Sequence, residues 1–386
     1  MAQGMNKLNE ALASLHEVRE LLLSLDTGTS PIAVSGLSGV HRAQLAAAVR
    51  HKTQRPLLIV CADENEANRM AGDLHELLGE DVSLLFAREW QLRDRVFASH
   101  GWEQQRIGSL CSLAAGKAPI LVATVDGLMQ RTLPPDALRG AVTDISLGDR
   151  FDLNALSKKL VESGYTRAET VEGVGQFALR GGILDIWSPL SAPVRVEFFD
   201  DEVDAMGEFD VTTQRRTQNV KSLTVLPAAE VLPALSDGGR EKMLERLGRA
   251  AQKIAKKAED SPIVQTLRSD IERLRNDLPL GGMDRYLAAC YPDEVCALDY
   301  LSPDTLIAVV LERSKNYHWE LSEDVKPLIE EGVLCGEFAA LALSQEALSH
   351  RMGAFPVLLL DSLPTSRNLL PPRAILSMNA RSLPSY

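Results

Sequence analysis

A short apolar strand, a loop with two glycines and the start of a helix follow one another in residues 31–41, which read PIAVSGLSGVH. Outward from this stretch, strands that are apolar throughout are predicted at 56–61 and 119–123, each with a helical segment further along the chain. A strand with no polar face is buried on both sides, and the alternation of such strands with helices is typical of a parallel sheet. We therefore predict an α/β domain, to whose sheet residues 306–311 return as a further strand.

The strand, loop and helix have the architecture of a phosphate-binding loop, but the residues that carry its chemistry are missing. In a working loop of the form GxxxxGK[ST], the lysine reaches the terminal phosphates and the hydroxyl holds magnesium. Here Gly36 and Gly39 are followed by Val40 and His41. Leu311 stands where a later strand would carry the acidic residue of the magnesium site. We predict a degenerate loop that binds no cofactor and no metal; the alternative is weak anion binding at the helix N-terminus.

Charge and composition exclude several classes of protein. Lys and Arg number 41 against 53 Asp and Glu, and the net charge of -12 argues against tight, autonomous binding to a phosphate backbone. There is no signal peptide and no apolar run of membrane-spanning length, so a soluble, cytoplasmic protein is expected. The five scattered cysteines form no CxxC pair, which argues against a disulfide framework and a zinc site. The seven histidines show no spacing that indicates a catalytic or metal site.

A hairpin-rich module is predicted after residue 140, because closely spaced strand candidates replace the alternation of strands and helices. These candidates are 176–180, 182–187, 194–199 and 202–206. Alternation along the third strand places Val194, Val196 and Phe198 on one face and the intervening residues, which end with Phe199, on the other. A turn at residues 200–201, both Asp, joins the last two strands.

The fold class predicted from these patterns is α/β: a degenerate P-loop-like domain with a parallel sheet in two halves, and a small inserted mixed α/β domain rich in hairpins. The first half is expected at 1–140, the insert at 141–228, and the second half, with one or two long helices, at 229–349. The strand predicted at 357–360 suggests that a further domain begins at residue 350. Since residues 350–386 are too few to complete a domain, the sequence is expected to be a fragment of a longer protein.

Three strings in the hairpin-rich segment carry a resemblance to a known family: GGILDIWSP at 181–189, VRVEFFDDEVD at 194–204, and FDV followed by QR within 209–215. They closely resemble the N-terminal region of the bacterial transcription-repair coupling factors, the Mfd family, and shorter matches run through nearly the whole chain in the family's order. The excision-repair helicase UvrB shares this arrangement more distantly. The resemblance implies a P-loop-like domain that has lost its ATPase motifs, interrupted by an inserted domain that binds the excision-repair protein UvrA.

The resemblance also implies a non-catalytic role for this chain, with no catalytic residues: it would recruit UvrA to stalled RNA polymerase in transcription-coupled nucleotide excision repair. The motor that uses ATP and magnesium, and the contacts with RNA polymerase and DNA, would belong to missing parts of a longer parent protein. The aromatic hairpin with which UvrB clamps DNA has no counterpart, because residues 87–98 contain Trp90 and Phe97 but no run of tyrosines.

The UvrA-binding residues can be carried over only where the family's motifs match. A Tyr-x-Arg motif is matched at 165–167 and ends at Arg167, and an Arg-Gly pair is matched at Arg180, with Phe177 before it. Trp187 takes the place of a frequent Phe, whereas Ala178 stands where UvrB often has a second Arg. The resemblance thus implies that Arg167, Arg180, Phe177 and Trp187 bind UvrA.

Each of these residues also has a purely structural alternative. The two arginines could form ion pairs inside the domain with Glu169 or Glu172, and such pairs contribute little at a surface. Phe177 and Trp187 could instead pack in the core. At the level of function, the alternatives are a residual ATP-dependent helicase or translocase domain and a DNA-binding module; the basic residues in 239–276 are interleaved with acidic ones, as on a solvated face.

Overall fold

The parallel sheet predicted from the apolar strands is present in the computed structural model, which describes residues 2–37, 39–93, 101–278, 280–310, 317–360 and 370–378. The helices in these ranges are α1 (Ala2–Ala13), α2 (His16–Asp26), α3 (Val40–Thr53), α4 (Glu64–Leu78), α5 (Gly101–Ala114), α6 (Val125–Met129), α7 (Pro135–Ala141), α8 (Leu153–Glu162), α9 (Gly239–Ala255), α10 (Pro262–Arg275), α11 (Leu287–Cys290), α12 (Tyr317–Glu330) and α13 (Gln345–Met352). None of the helices in the described ranges combines the length and the apolar composition that crossing a membrane requires.

The strands fall into a large parallel sheet and the smaller sheets of the insert. They are β1 (Ile32–Ser35), β2 (Leu57–Cys61), β3 (Ser83–Leu85), β4 (Ile120–Thr124), β5 (Thr143–Ser146), β6 (Thr166–Arg167), β7 (Gln176–Arg180), β8 (Ile183–Ile186), β9 (Val194–Phe199), β10 (Glu202–Phe209), β11 (Arg216–Asn219), β12 (Ser222–Val225), β13 (Leu306–Val310), β14 (Val357–Leu360) and β15 (Ala374–Ser377).

The large sheet has seven strands in the order β15-β1-β14-β13-β2-β4-β3, and all its pairs are parallel. Alternate residues of β2 enter different cores: Leu58 and Val60 pack with α5 and α9, whereas Leu57 and Ile59 pack with α2, α3 and α4. The sheet is therefore covered on both faces, as its uniformly apolar strands require. The predicted α/β fold is confirmed, and β13 returns to the sheet between β14 and β2.

The last described strands complete this sheet instead of starting a new unit. β14 pairs with both β1 and β13 in the interior of the sheet, and β15 pairs with β1 at its edge. The expectation that a further domain begins at residue 350 is therefore wrong for these strands. The reason is physical: a strand with four buried residues needs cover on both faces, and the sheet interior supplies it.

The insert is built on a second sheet of six strands, in the order β11-β10-β9-β8-β7-β6, to which a two-stranded ladder of β5 and β12 is added. β5 and β12 pair where the chain enters and leaves the insert, with Thr143 opposite Val225. One face of the six-stranded sheet packs against α8 in a core that includes Val194 and Val196. Phe199, on the opposite face, is 79% exposed, so the alternation predicted for this strand is confirmed.

One contact closes the insert on itself, and another packs it on the large domain. The hydroxyl of Tyr165 donates to the Leu226 carbonyl at 2.6 Å, which ties the end of α8 to the chain that follows β12. Leu190 packs on Gly108 of α5 so closely that a Cβ at Gly108 would lie 1.9 Å from its Cδ1. A side chain at residue 108 would therefore force the Leu190 side chain out of this contact.

A buried network of charges joins the two halves of the large domain across the insert. Arg88 donates two hydrogen bonds to Asp284, at 2.6 and 2.9 Å, and also lies 3.0 Å from Glu230. Arg106 donates to Glu230 at 3.0 Å, and Thr132 donates to its other oxygen at 2.5 Å. Removing one partner of such a set leaves an uncompensated charge in a low-dielectric interior.

We expect Glu230→Ala to lower the free energy of unfolding by about 3–5 kcal/mol, because Arg88 and Arg106 lose their shared carboxylate in a buried site. Urea denaturation followed by circular dichroism measures this change. Glu245→Ala, which removes an exposed partner of Lys242, is the matched control and should change stability by less than about 0.5 kcal/mol. Equal effects of the two substitutions would contradict the role assigned to Glu230.

Candidate partner-binding site

The face of the six-stranded sheet that lies away from α8 carries the predicted site and is called the outer face here. Direct cross-strand partners share a face, so the register defines its members. Arg180 pairs with Ile183, Ile183 with Glu197, and Asp185 with Arg195. Alternation along β7 and β9 adds Gln176, Ala178 and Phe199 to the outer face.

At the centre of the outer face, one buried carboxylate binds two arginines. Asp185 has no exposed surface. Arg195 donates to its Oδ1 through Nε at 2.6 Å and to its Oδ2 through Nη2 at 2.8 Å. Arg180 donates to Oδ2 through Nη2 at 2.7 Å, and its side chain is 51% exposed. The three residues carry one net positive charge, and Arg180 presents that charge to solvent.

The other charges on this face are paired more locally. The hydrogen bond with Asp185 raises the pKa of the Arg195 guanidinium above its ordinary value, so this side chain stays charged. Glu197 accepts a hydrogen bond from Arg216 of β11 at 3.0 Å. Because Arg195 and Glu197 are both engaged inside the sheet, Arg180 is the cation of this group that is best placed for an outside carboxylate.

Two exposed apolar side chains share the outer face with Arg180. Ile183, its direct cross-strand partner, is 39% exposed, and Phe199 lies two positions beyond Glu197 on β9. Neither was identified as a site residue from the sequence. The sequence does contain a signal for Phe199 as a site residue. The alternation of β9 puts it on the same face as Arg195 and Glu197, away from the core that packs against α8.

The structure separates the two aromatic residues that were expected to bind the partner. Phe177 is completely buried in the core between the sheet and α8, so its predicted contact with a partner is corrected to a packing role. Trp187 is partly buried against Val171, Ala178 and Phe209 at one end of the outer face. Its indole N–H donates to the carbonyl of residue 191 at 3.0 Å, which orients the ring.

Arg167 is exposed on the edge strand β6 and does not meet Arg180. It pairs with Phe177, so by the register it lies on the face of the sheet that packs against α8 and not on the outer face with Arg180. The two arginines are also offset by about 10 Å along the strand direction. Within the described ranges Arg167 forms no ion pair, and the carboxylate partner of Arg180 is Asp185. The alternative pairing of these arginines with Glu169 or Glu172 is not observed.

The degenerate loop lies between β1 and α3, where the C-terminal strand closes over it. Gly36 has φ of +85°, and a Cβ there would lie only 1.8 Å from the carbonyl oxygen of Met378. The amide of Met378 in turn donates to Ser35 at 2.9 Å. Val40 and His41 occupy the first turn of α3 as predicted. The predicted substitution at Leu311, like Phe97, lies outside the described residues.

A cavity of about 280 Å³ beside this loop is lined mainly by apolar side chains, with no Lys or Arg among its described lining residues. The lining consists of Leu12, Leu15, Glu17, Val18, Leu37, His41, Gln44, Leu45 and Met378. A triphosphate requires cations and free amides. This lining supplies mostly hydrocarbon and a carboxylate. In the described part of the chain, no group of three or more His, Cys, Asp and Glu side chains is arranged to hold a metal ion.

Comparison with known proteins places these features in a family. Residues 143–230 match the family model described as UvrB interaction domain. The chain is 31% identical to a transcription-repair-coupling factor of Myxococcus xanthus and 27% identical to one of Bacillus subtilis, each over 85% of this chain. A relative with the same name from Staphylococcus haemolyticus is 25% identical over 79% of this chain.

The matched part covers 28%, 29% and 27% of these three relatives, so the chain spans less than a third of their length. The interaction-domain match coincides with the hairpin-rich insert, and the similarity continues through both halves of the parallel-sheet domain. By these similarities the chain corresponds to the N-terminal, UvrB-like region of the transcription-repair-coupling factors.

Proposed function

We propose that this chain is a non-catalytic recruitment module, which binds UvrA through the outer face of its insert and thereby brings excision repair to stalled RNA polymerase. The observation that carries the proposal is Arg180, half-exposed and held by a buried carboxylate beside exposed Ile183 and Phe199. This arrangement lies inside the segment that matches the UvrB interaction domain.

The chemistry of the outer face fits a protein partner with an acidic surface. A guanidinium binds carboxylates through two parallel hydrogen bonds, and an aromatic ring buries a large area at low cost in side-chain entropy. Arg and aromatic residues dominate the binding energy of many interfaces. Arg180 with Phe199 supplies this combination on the outer face, and Trp187 at the other end of that face extends the proposed surface. Arg167 lies on the opposite face by register, so the partner would reach it around the sheet edge at β6.

The wider setting of the proposal comes from the relatives, whose name couples transcription to repair. Contacts with RNA polymerase and DNA, and a motor that uses ATP and magnesium, are assigned to the parts of those relatives that this chain does not match. A cytoplasmic location follows from the same role. The apolar cavity beside the degenerate loop supports the assignment of a scaffolding function to the domain that carries the insert.

Reversing the charge of Arg180 or Arg167 should weaken the binding of purified UvrA. We expect each of Arg180→Glu and Arg167→Glu to cost about 2 kcal/mol or more, the range for charge reversal at a desolvated contact. Isothermal titration calorimetry or biolayer interferometry gives the affinities.

Lys158→Glu is the matched control for this charge reversal. Its side chain is 78% exposed on α8, which covers the opposite face of the sheet, so affinity should be retained. Circular dichroism confirms that each variant is folded. If folded Arg180→Glu and Arg167→Glu both bind UvrA like the unsubstituted chain, the site is placed wrongly.

Truncating Phe199 tests the apolar part of the surface. Phe199→Ser should lower the affinity for UvrA about tenfold or more, because a buried aromatic anchor is lost at the interface. Since the ring is 79% exposed in the free chain, thermal stability should hardly change. Val161→Ser, at a residue that is 54% exposed on α8, is the control. Equal affinities of the two variants would remove Phe199 from the site.

The enzymatic and DNA-binding alternatives have their own measurements. We expect no release of phosphate from ATP above background, because Val40 and His41 replace the lysine and the Ser/Thr hydroxyl on which the chemistry of this loop depends. We also expect no duplex binding with a steep salt dependence, since phosphate contacts release counterions. ATP turnover that Gly36→Ala or His41→Ala abolishes would overturn the non-catalytic assignment, and a steep salt slope would favour the DNA-binding alternative.

A further inference from the structure

Asp185 is a carboxylate of the outer face that has no exposed surface and accepts hydrogen bonds from two arginines. Its two oxygens accept three hydrogen bonds between 2.6 and 2.8 Å from Arg180 and Arg195. The hairpin register explains the geometry, since Asp185 lies directly opposite Ala178 and Arg195 on the two adjoining strands. A one-residue shift of β8 would turn the carboxylate into the core, and a one-residue shift of an adjoining strand would turn its arginine away from the carboxylate.

Arg195 alone is sufficient to neutralise the buried carboxylate. It approaches Asp185 with two N–H groups, lies 5.0 Å over the ring of Phe209, and is 3.3 Å from the carbonyl and the side-chain oxygen of Gln214. Its side chain is therefore held on several sides. Arg180 is a second cation on the same carboxylate, and it contributes one hydrogen bond through Nη2. The remaining donors of Arg180 have no hydrogen-bond partner among the described residues.

We propose that Asp185 is a positioning residue of the docking surface, which fixes the guanidinium of Arg180 so that its remaining N–H groups receive a carboxylate of UvrA. This inference rests on the proposed function. A free surface arginine loses side-chain entropy when a partner immobilises it. The buried carboxylate imposes that order before binding, and Arg195 keeps the carboxylate itself in place.

The charge balance gives this arrangement its selectivity. Arg195 and Asp185 cancel one another, so Asp185 orients Arg180 without consuming the positive charge of the set. An anionic group of the partner completes a set of two guanidinium groups and two carboxylates. A cationic or purely apolar partner surface would leave Arg180 partly desolvated and unpaired, which costs binding energy.

A double-mutant cycle with purified UvrA tests the proposal. Asp185→Asn keeps the shape and removes the charge, and we expect it to weaken binding roughly five- to tenfold. Arg180→Ala should weaken binding at least as much. In the Arg180→Ala background, Asp185→Asn should then cause no further loss, because Asp185 acts through Arg180. Glu162→Gln, at a carboxylate of α8 that pairs with the exposed Lys158 away from the outer face, is the control and should stay within about twofold of the unsubstituted chain.

The outcomes separate this inference from the function on which it rests. Equal losses from Asp185→Asn in both backgrounds, or no loss in either, overturn the positioning role while recruitment of UvrA stands. Absence of binding by the unsubstituted chain overturns both. If Asp185→Asn does not fold, NMR relaxation of the arginine Nε–H groups in the unsubstituted chain decides: Arg180 should be ordered and Arg167 mobile on the picosecond-to-nanosecond timescale, and equal mobility contradicts the proposal.

Discussion

Glu230 places one carboxylate, shielded from solvent, between the guanidinium groups of Arg88 and Arg106. The two arginines precede the insert in the chain and Glu230 directly follows it. These ion pairs therefore join the segments on the two sides of the insert. Buried charges persist only where each meets a counter-charge. The large sheet draws β1 to β4 from one half and β13 to β15 from the other, and the assembly of both halves depends on this neutralisation.

The insert also pairs one buried carboxylate with two arginines, but there the arrangement reaches the surface. In the network around Glu230 every side chain is buried, and its charges hold the domain together. On the outer face of the insert, Asp185 is equally buried, but its second arginine, Arg180, remains half-exposed. The difference lies in burial: Glu230 has no exposed surface, whereas the side chain of Arg180 is 51% exposed. A structural ion network thereby ends in a surface cation of fixed position, next to the exposed ring of Phe199.

Much of the insert could be predicted because its signals are local. The alternation along β9 sorted Val194 and Val196 from Arg195 and Glu197 correctly, since successive side chains of a strand point to opposite faces. Residues 357–360 were assigned to the wrong unit, although their strand was predicted correctly. An apolar strand needs neighbours, but its sequence does not say which, and the pairing of β14 with β1 joins residues more than 300 positions apart. Phe177 shows the same limit, because a motif match does not reveal whether a side chain faces the core.

The α/β class, the hairpin-rich insert and the family resemblance could be predicted from the sequence alone. So could the loss of the lysine and of the Ser/Thr hydroxyl of a phosphate-binding loop, which Val40 and His41 replace. All of these rest on residue types and on their spacing along a short stretch. Only the tertiary structure decided that Met378 closes over Gly36, that Phe177 is buried, and that Asp185 binds Arg180 and Arg195 together. These features arise where separate segments meet, and their energies depend on distance and burial, which are properties of the folded chain.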